Sequence, residues 1–252
     1  MTVRPRAIFA ILIGAGLAAL AVWAVADLTP FGTPSGPADR FVRTLANQRH
    51  VANAVNGITY DLRGLDTLGE ELILFVAALG SAVLLRHGRG EEVEEEAAEA
   101  DEERGVGGTR IPDLLRVAGA VLVGPAIVLG IYVVTHGHLS PGGGFQGGVL
   151  LAGGLLLVYA AGQVLALAHV EPTSLVEVAD AVGAMAYALV AIGGLVFASA
   201  ALYNFLPFGT SGQLLSSGTI ALLSCAVGVE VTGAVALILT EFLDQTLLRG
   251  RE

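Results

Sequence analysis

Six stretches of this sequence, roughly residues 7–26, 67–86, 114–135, 146–169, 177–203 and 217–246, run for about 20 residues or more with little charge. Hydrocarbon about 30 Å thick offers the peptide no hydrogen-bond partner, so a backbone that crosses it must satisfy itself within a helix or a closed barrel. Runs of this length suit helices. The expected fold is therefore all-α: a polytopic membrane protein of about six transmembrane helices. Composition agrees, since 54% of the 252 residues are apolar and only 14% charged, outside the usual soluble range.

The spans group as two plus four around Gly88 to Arg110, "GRGEEVEEEAAEADEERGVGGTR". Such a charge block repels itself and resists packing, so it reads as a solvated linker. Residues 1–87 then form a two-span piece, 88–110 an acidic linker and 111–252 a four-span domain. The formal charge of -10 comes largely from this block and gives no reason to expect nucleic acid as a partner. No internal repeat is visible. The first span follows Arg4 and Arg6 and ends in Ala24-Val25-Ala26, a sequence resembling a signal-peptidase site. Its apolar run exceeds the 7–15 residues of a signal peptide, which favours an uncleaved anchor.

All basic charge is arginine. With the N-terminus in the cytoplasm, Arg4, Arg6, Arg86, Arg89, Arg104, Arg110, Arg116, Arg249 and Arg251 lie inside, against Arg40, Arg43, Arg49 and Arg63 outside. The excess places both termini in the cytoplasm.

Ionisable residues within spans are expensive and are functional candidates by default. In the second span Asp66 and Glu70 share a helix face, as do Thr67 and Glu71. Thr67-x-x-Glu70 also has the form of a capping box, so these residues read either as a helix cap or as proton-binding carboxylates. In the last span Thr219, Glu230 and Glu241 recur every eleven residues, about three turns, and so form a polar stripe at intervals of about 16 Å. Ser224, Gly228, Thr232, Ala236 and Thr240 repeat every four, a small-residue ridge that admits a close neighbour helix. Glu230, near mid-membrane, reads as a proton or ion relay; Glu241 reads as a relay or as an interfacial residue beside Asp244 and Arg249.

Between the third and fourth spans lies "THGHLSPGGGFQGGVLLAGG", Thr135 to Gly154. Pro141 forbids continuous helix, and Gly142, Gly143, Gly144, Gly147 and Gly148 around Phe145 permit unusual dihedrals and close contact, so a broken or re-entrant segment packed against partners is expected. His136 and His138 titrate near neutrality and could relay protons, or be interfacial groups satisfied by water. Two histidines without further ligands make a weak metal site, and the lone Cys225 supplies no cysteine cluster. No metal or cofactor is expected. Two enzyme readings fail: Gly209-Thr210-Ser211-Gly212 resembles the nucleophile of rhomboid-type intramembrane proteases, but no histidine follows it. The glycine run has neither the lysine nor the strand of a phosphate loop.

The segment His136 to Gly148, "HGHLSPGGGFQGG", strongly resembles the signature of the B subunit of multisubunit Mrp (Mnh) type sodium/proton antiporters. The piece "NAVNGITYDLRGLDTLGEELILFVAALG" is similar to the C-terminal portion of the large A subunit of the same complexes, where the pattern is "DFRGFDTLGE"; Leu62 and Leu65 stand here at its aromatic positions. Together they cover nearly all of the chain outside the acidic linker. The resemblance implies a non-enzymatic fusion of the A-subunit tail with the B subunit, in a prokaryotic plasma membrane. Its partners would be large antiporter-like and small membrane subunits, with sodium ions and protons as cargo. It maps the acidic position of the A tail onto Glu70. Related modules occur in energy-converting hydrogenases and other complexes resembling respiratory complex I, which leaves a redox-driven machine, or a non-conducting scaffold, as alternatives.

Overall fold

The computed structural model describes residues 3–26, 36–85, 113–160 and 173–249; the acidic linker and the end of the fourth apolar run lie outside them. Among the described residues every regular element is helical. The chain packs as two units, 1–41 and 42–252. In the first, α1 (Val3–Ala26) has an exposed apolar surface, including Ile11, Leu17 and Trp23.

A short amphipathic helix, α2 (Gly36–Gln48), passes into the second unit and buries Leu45 against Gly57. Then come α3 (Ala54–Gly57), a π-helical turn (Ile58–Leu62) and α4 (Gly64–Leu85). The four-span region supplies α5 (Asp113–Thr135), α6 (Gly144–Ala160), α7 (Thr173–Ala198) and α8 (Thr219–Arg249).

Four of these, α4, α5, α7 and α8, hold stretches long and apolar enough to cross a membrane. The apolar parts of α1 and α6 are shorter, Ile11–Trp23 and Gly144–Val158. The fifth apolar run stops before residue 203, because Ser199 and Leu202 adopt φ of 58° and 59°, in the left-handed region that terminates helix. The chain is thus a multi-pass membrane protein.

Helix α8 is the centre: 61% of its apolar window is buried, against 17% for α4 and α5 and 28% for α7. It packs against α7, α6 and α4. A core of Tyr60, Tyr187, Leu202, Leu223, Val227 and Val231 fills one end of this arrangement, and Ala78, Ala82, Ala234 and Leu237 fill the other. The exposed apolar faces of α4, α5 and α7 are what lipid or other membrane helices can cover.

The glycine-rich signature is the break between α5 and α6. Its glycines serve two neighbours. A Cβ at Gly147 would come within 2.8 Å of the Gly130 carbonyl on α5, while one at Gly144 or Gly148 would come within 2.9 Å of the backbone of Gly228 on α8. The expected small-residue ridge receives this face: Ser224 Oγ donates to the Val134 carbonyl at 2.9 Å, and Thr232 Oγ1 caps back onto Gly228 at 2.6 Å.

The two sequence pieces meet at the same break. Asn53 caps α3, its Oδ1 accepting the Val55 N–H at 3.1 Å, and its Nδ2 lies 2.8, 2.9 and 3.0 Å from the carbonyls of Gly137, Ser140 and Gly142. The N–H groups of Ala52 and Asn53 donate to the His138 carbonyl at 3.0 and 3.1 Å. One asparagine therefore holds a turn whose carbonyls face inward and would otherwise go unpaired.

Candidate functional site

Three carboxylic acids converge where α4, α7 and α8 pack: Glu71, Asp180 and Glu230 are 3%, 1% and 0% exposed. Glu71 and Glu230 are electrostatic neighbours, with Asp180 close to both. Glycines make this approach possible, in a reciprocal arrangement. A Cβ at Gly183 on α7 would come 2.5 Å from the Glu230 Cβ, and one at Gly233 on α8 would come 2.5 Å from the Asp180 nitrogen. Asp180-x-x-Gly183 thus faces Glu230-x-x-Gly233, each glycine opening space for the opposite acid.

Five oxygens of this junction, Glu71 Oε2 and both of Asp180 and Glu230, are buried with no hydrogen-bond partner in the protein. Buried polar atoms are nearly always paired, and an exception calls for a functional explanation. Among the described residues no arginine or histidine neutralises the group, and no three Asp, Glu, His or Cys side chains form a metal-holding set. What the arrangement offers is a chain of acids, each able to take up and release a proton.

The structure separates the sequence candidates. Glu230 is at the centre. Glu241 is also buried, at 1% exposed, about 16 Å farther along α8. Glu70 lies on the exposed side of α4, and Asp66 is exposed and paired with Arg63. Thr67 does not cap: α4 already begins at Gly64, and the Thr67 hydroxyl donates to the Thr59 carbonyl at 3.0 Å. Glu71 and Asp180 enter as site residues without having been candidates. Asp180 interrupts the apolar run "VADAVGAMAYALV", and that is the signal that marks it.

The histidines lie at the signature end. His136 stacks on Tyr132 with ring centroids 4.2 Å apart. His138 is fully buried, its Nε2 3.4 Å from the Gln213 carbonyl and its Nδ1 unpartnered. Burial pushes the His138 imidazole below its ordinary range. Beside it Arg49 pairs with the nearly buried Asp61 at 2.9 Å and lies over the Tyr203 and Phe208 rings. Tyr60, also buried, is held above the ordinary phenol range by burial first and then by Glu71.

Fold and site together define a class: a polytopic α-helical membrane subunit with a buried acidic junction. Comparison with known proteins narrows it. Residues 114–237 match the domain related to the MnhB subunit of Na+/H+ antiporter, and residues 3–102 match the E subunit of MBH. A Staphylococcus haemolyticus protein named as putative antiporter subunit mnhB2 is 30% identical over 129 residues, covering 50% of this chain and 90% of that one. The chain belongs to the MnhB-related family. A Rhizobium meliloti protein named as a K+/H+ antiporter A/B subunit is 32% identical over 143 residues, 51% of this chain but 14% of the longer relative. Among solved structures, a chain of the membrane-bound sulfane sulfur reductase, an archaeal respiratory membrane complex, superposes with TM-score 0.71 at 27% identity, covering 94% of this chain and 98% of that one. A chain of the Mrp complex from Dietzia superposes with TM-score 0.69 at 20% identity, covering 96% of this chain and 26% of that one, a likeness of fold.

Proposed function

We propose that the chain is a subunit of a multisubunit monovalent cation/proton antiporter, and that Glu71, Glu230 and Asp180 carry protons through it during exchange. The observation that carries this reading is the buried junction of three acids with five unpartnered oxygens. Its family supports the setting: one relative is named as an A/B antiporter subunit and another as mnhB2. The partners are the other membrane subunits of such a complex; the chain performs no covalent chemistry itself. Both termini lie in the cytoplasm of a prokaryotic cell, which puts the signature turn and the 199–218 loop on the outer side.

The test is sodium/proton exchange in vesicles that contain the complete complex, with Glu230→Gln in the chain. The amide keeps size and polarity while losing the exchangeable acid. Exchange is expected to fall by about a hundredfold with the complex still assembled. Wild-type exchange by the assembled variant would reduce the junction to a structural role.

A second reading has its own support. The near-complete coverage of the sulfane sulfur reductase chain, together with the match to the MBH family, favours the same module working in the membrane arm of a redox-driven complex. Purification from native membranes separates the two: antiporter-like subunits alone support exchange driven by a gradient, whereas iron–sulfur subunits would make electron transfer the driving reaction.

A further inference from the structure

The buried atoms left without partners, among the described residues, fall in two places. Asn56 Nδ2 and His138 Nδ1 lie at the signature turn, and the carboxyl oxygens lie at the acidic junction. The space between is not simply apolar.

Asn56 sits against the glycines of the turn: a Cβ at Gly137 would come 2.6 Å from its Nδ2, and one at Gly143 2.6 Å from its Oδ1. Four residues on, Tyr60 is 3% exposed and its hydroxyl receives the backbone N–H of Gly144. Its ring centroid is 6.4 Å from that of Tyr187, which is fully buried. The Tyr187 hydroxyl donates to the Gly64 carbonyl at 3.0 Å and is within hydrogen-bonding reach of Thr67, one turn before Glu71 on α4. Polar groups thus follow one another from the turn to the acids.

We propose that Tyr60 and Tyr187 form the middle of a proton path leading from His138 at the signature turn to Glu71 at the acidic junction. A phenol oxygen can accept a proton from one neighbour while its own proton leaves to the next, so that each transfer restores the neutral hydroxyl. Water molecules bridge the steps where side chains are not in direct contact, and polar surroundings with unpaired donors and acceptors are where buried water is held. At one end the neutral imidazole of His138 takes up a proton and releases it inward. At the other the Glu71 carboxylate receives it and passes it to Glu230. The other titratable groups facing this line are His136 beside the turn, Glu70 next to Glu71, Cys225 near Tyr60 and Asp180 beyond the acids.

This inference rests on the proton-carrying reading of Glu71 and Glu230, and the experiment separates them. The complete complex is placed in vesicles loaded with a pH-sensitive dye, and proton movement is driven by a sodium gradient. Tyr60→Phe with Tyr187→Phe removes two hydroxyls and little else, and is expected to slow exchange by about a hundredfold without loss of subunits. Wild-type rates in that double variant, with Glu230→Gln inactive, would overturn the path and leave the acids as carriers. Wild-type rates in both would overturn the path and the acid reading together. If the phenylalanine variant fails to assemble, 3-fluorotyrosine at both positions keeps shape and hydroxyl but makes the phenol more acidic. The pH profile of exchange then moves to lower pH if the hydroxyls pass protons, and its staying in place overturns the proposal.

Discussion

Glu70 and Glu71 are neighbours in sequence but about 100° apart around α4, and this decides which of them meets Glu230. Glu71 is 3% exposed at the junction, while Glu70 is on the outer surface of the helix. Glu71→Gln is therefore expected to slow sodium/proton exchange by about a hundredfold, with Glu70→Gln keeping most of it. The reverse order would move the proton-carrying site to the exposed face of α4. At His138 the expectation concerns pH. Burial lowers the folded-state affinity of the imidazole for protons, so the unfolded chain binds a proton first as pH falls. Its contribution to stability is full above about pH 6.5, the ordinary imidazole value, and is lost progressively below it. Heat-unfolding midpoints of the detergent-extracted protein should fall on acidification through that window, and His138→Gln should flatten the fall. An equal fall in the variant would place the acid lability elsewhere.

Helix α6 uses its two sides for different neighbours. A Cβ at Gly148 would come 2.7 Å from the Val231 Cβ and 2.9 Å from the Gly228 carbonyl, whereas one at Gly153 would meet nothing within 4 Å. Gly148→Ala should destabilise by about 1–3 kcal/mol through overpacking, and Gly153→Ala should be neutral or stabilise by up to about 1 kcal/mol through helix propensity. Unfolding midpoints of the two variants measure the contrast, and equal midpoints would mean that α6 does not depend on this contact. The glycine run was legible as a packing element because Pro141 and five glycines admit little else. So was the face of α8, since Glu230 and Glu241 share the eleven-residue period with Thr219, and all three are buried. The identity of their partners was not legible. Periodicity orients residues on one helix but does not say which face of a second helix meets it, so α4 offered Glu70 and Glu71 equally. Asp180 shows the other limit: its role depends on Gly183 and Gly233 pairing across α7 and α8, a relation between segments far apart in sequence.

Over the whole molecule, the two stretches resembling different antiporter subunits are joined through a single chain, but the contacts between them do not depend on that join. Asn53 reaches three carbonyls of the signature turn, Ala52 and Asn53 donate to His138, and α4 packs on α8 through Ala78, Ala82, Ala234 and Leu237. The covalent connection passes through residues 88–110, whose acidic composition gives no apolar surface to bury. A protease site inserted between Glu91 and Glu103, cut after the intact protein has folded, should therefore leave two fragments that co-purify in mild detergent. Asn53→Ala leaves the inward carbonyls of Gly137, Ser140 and Gly142 without that donor, and each lost hydrogen bond at such a position costs about 1–3 kcal/mol. The nicked variant should come apart under conditions that the nicked wild type survives. If the nicked wild type separates on its own, the linker is what holds the two pieces together and the contacts at the signature turn are secondary; if the variant stays as firmly joined as the wild type, helix packing between α4 and α8 is sufficient without the asparagine.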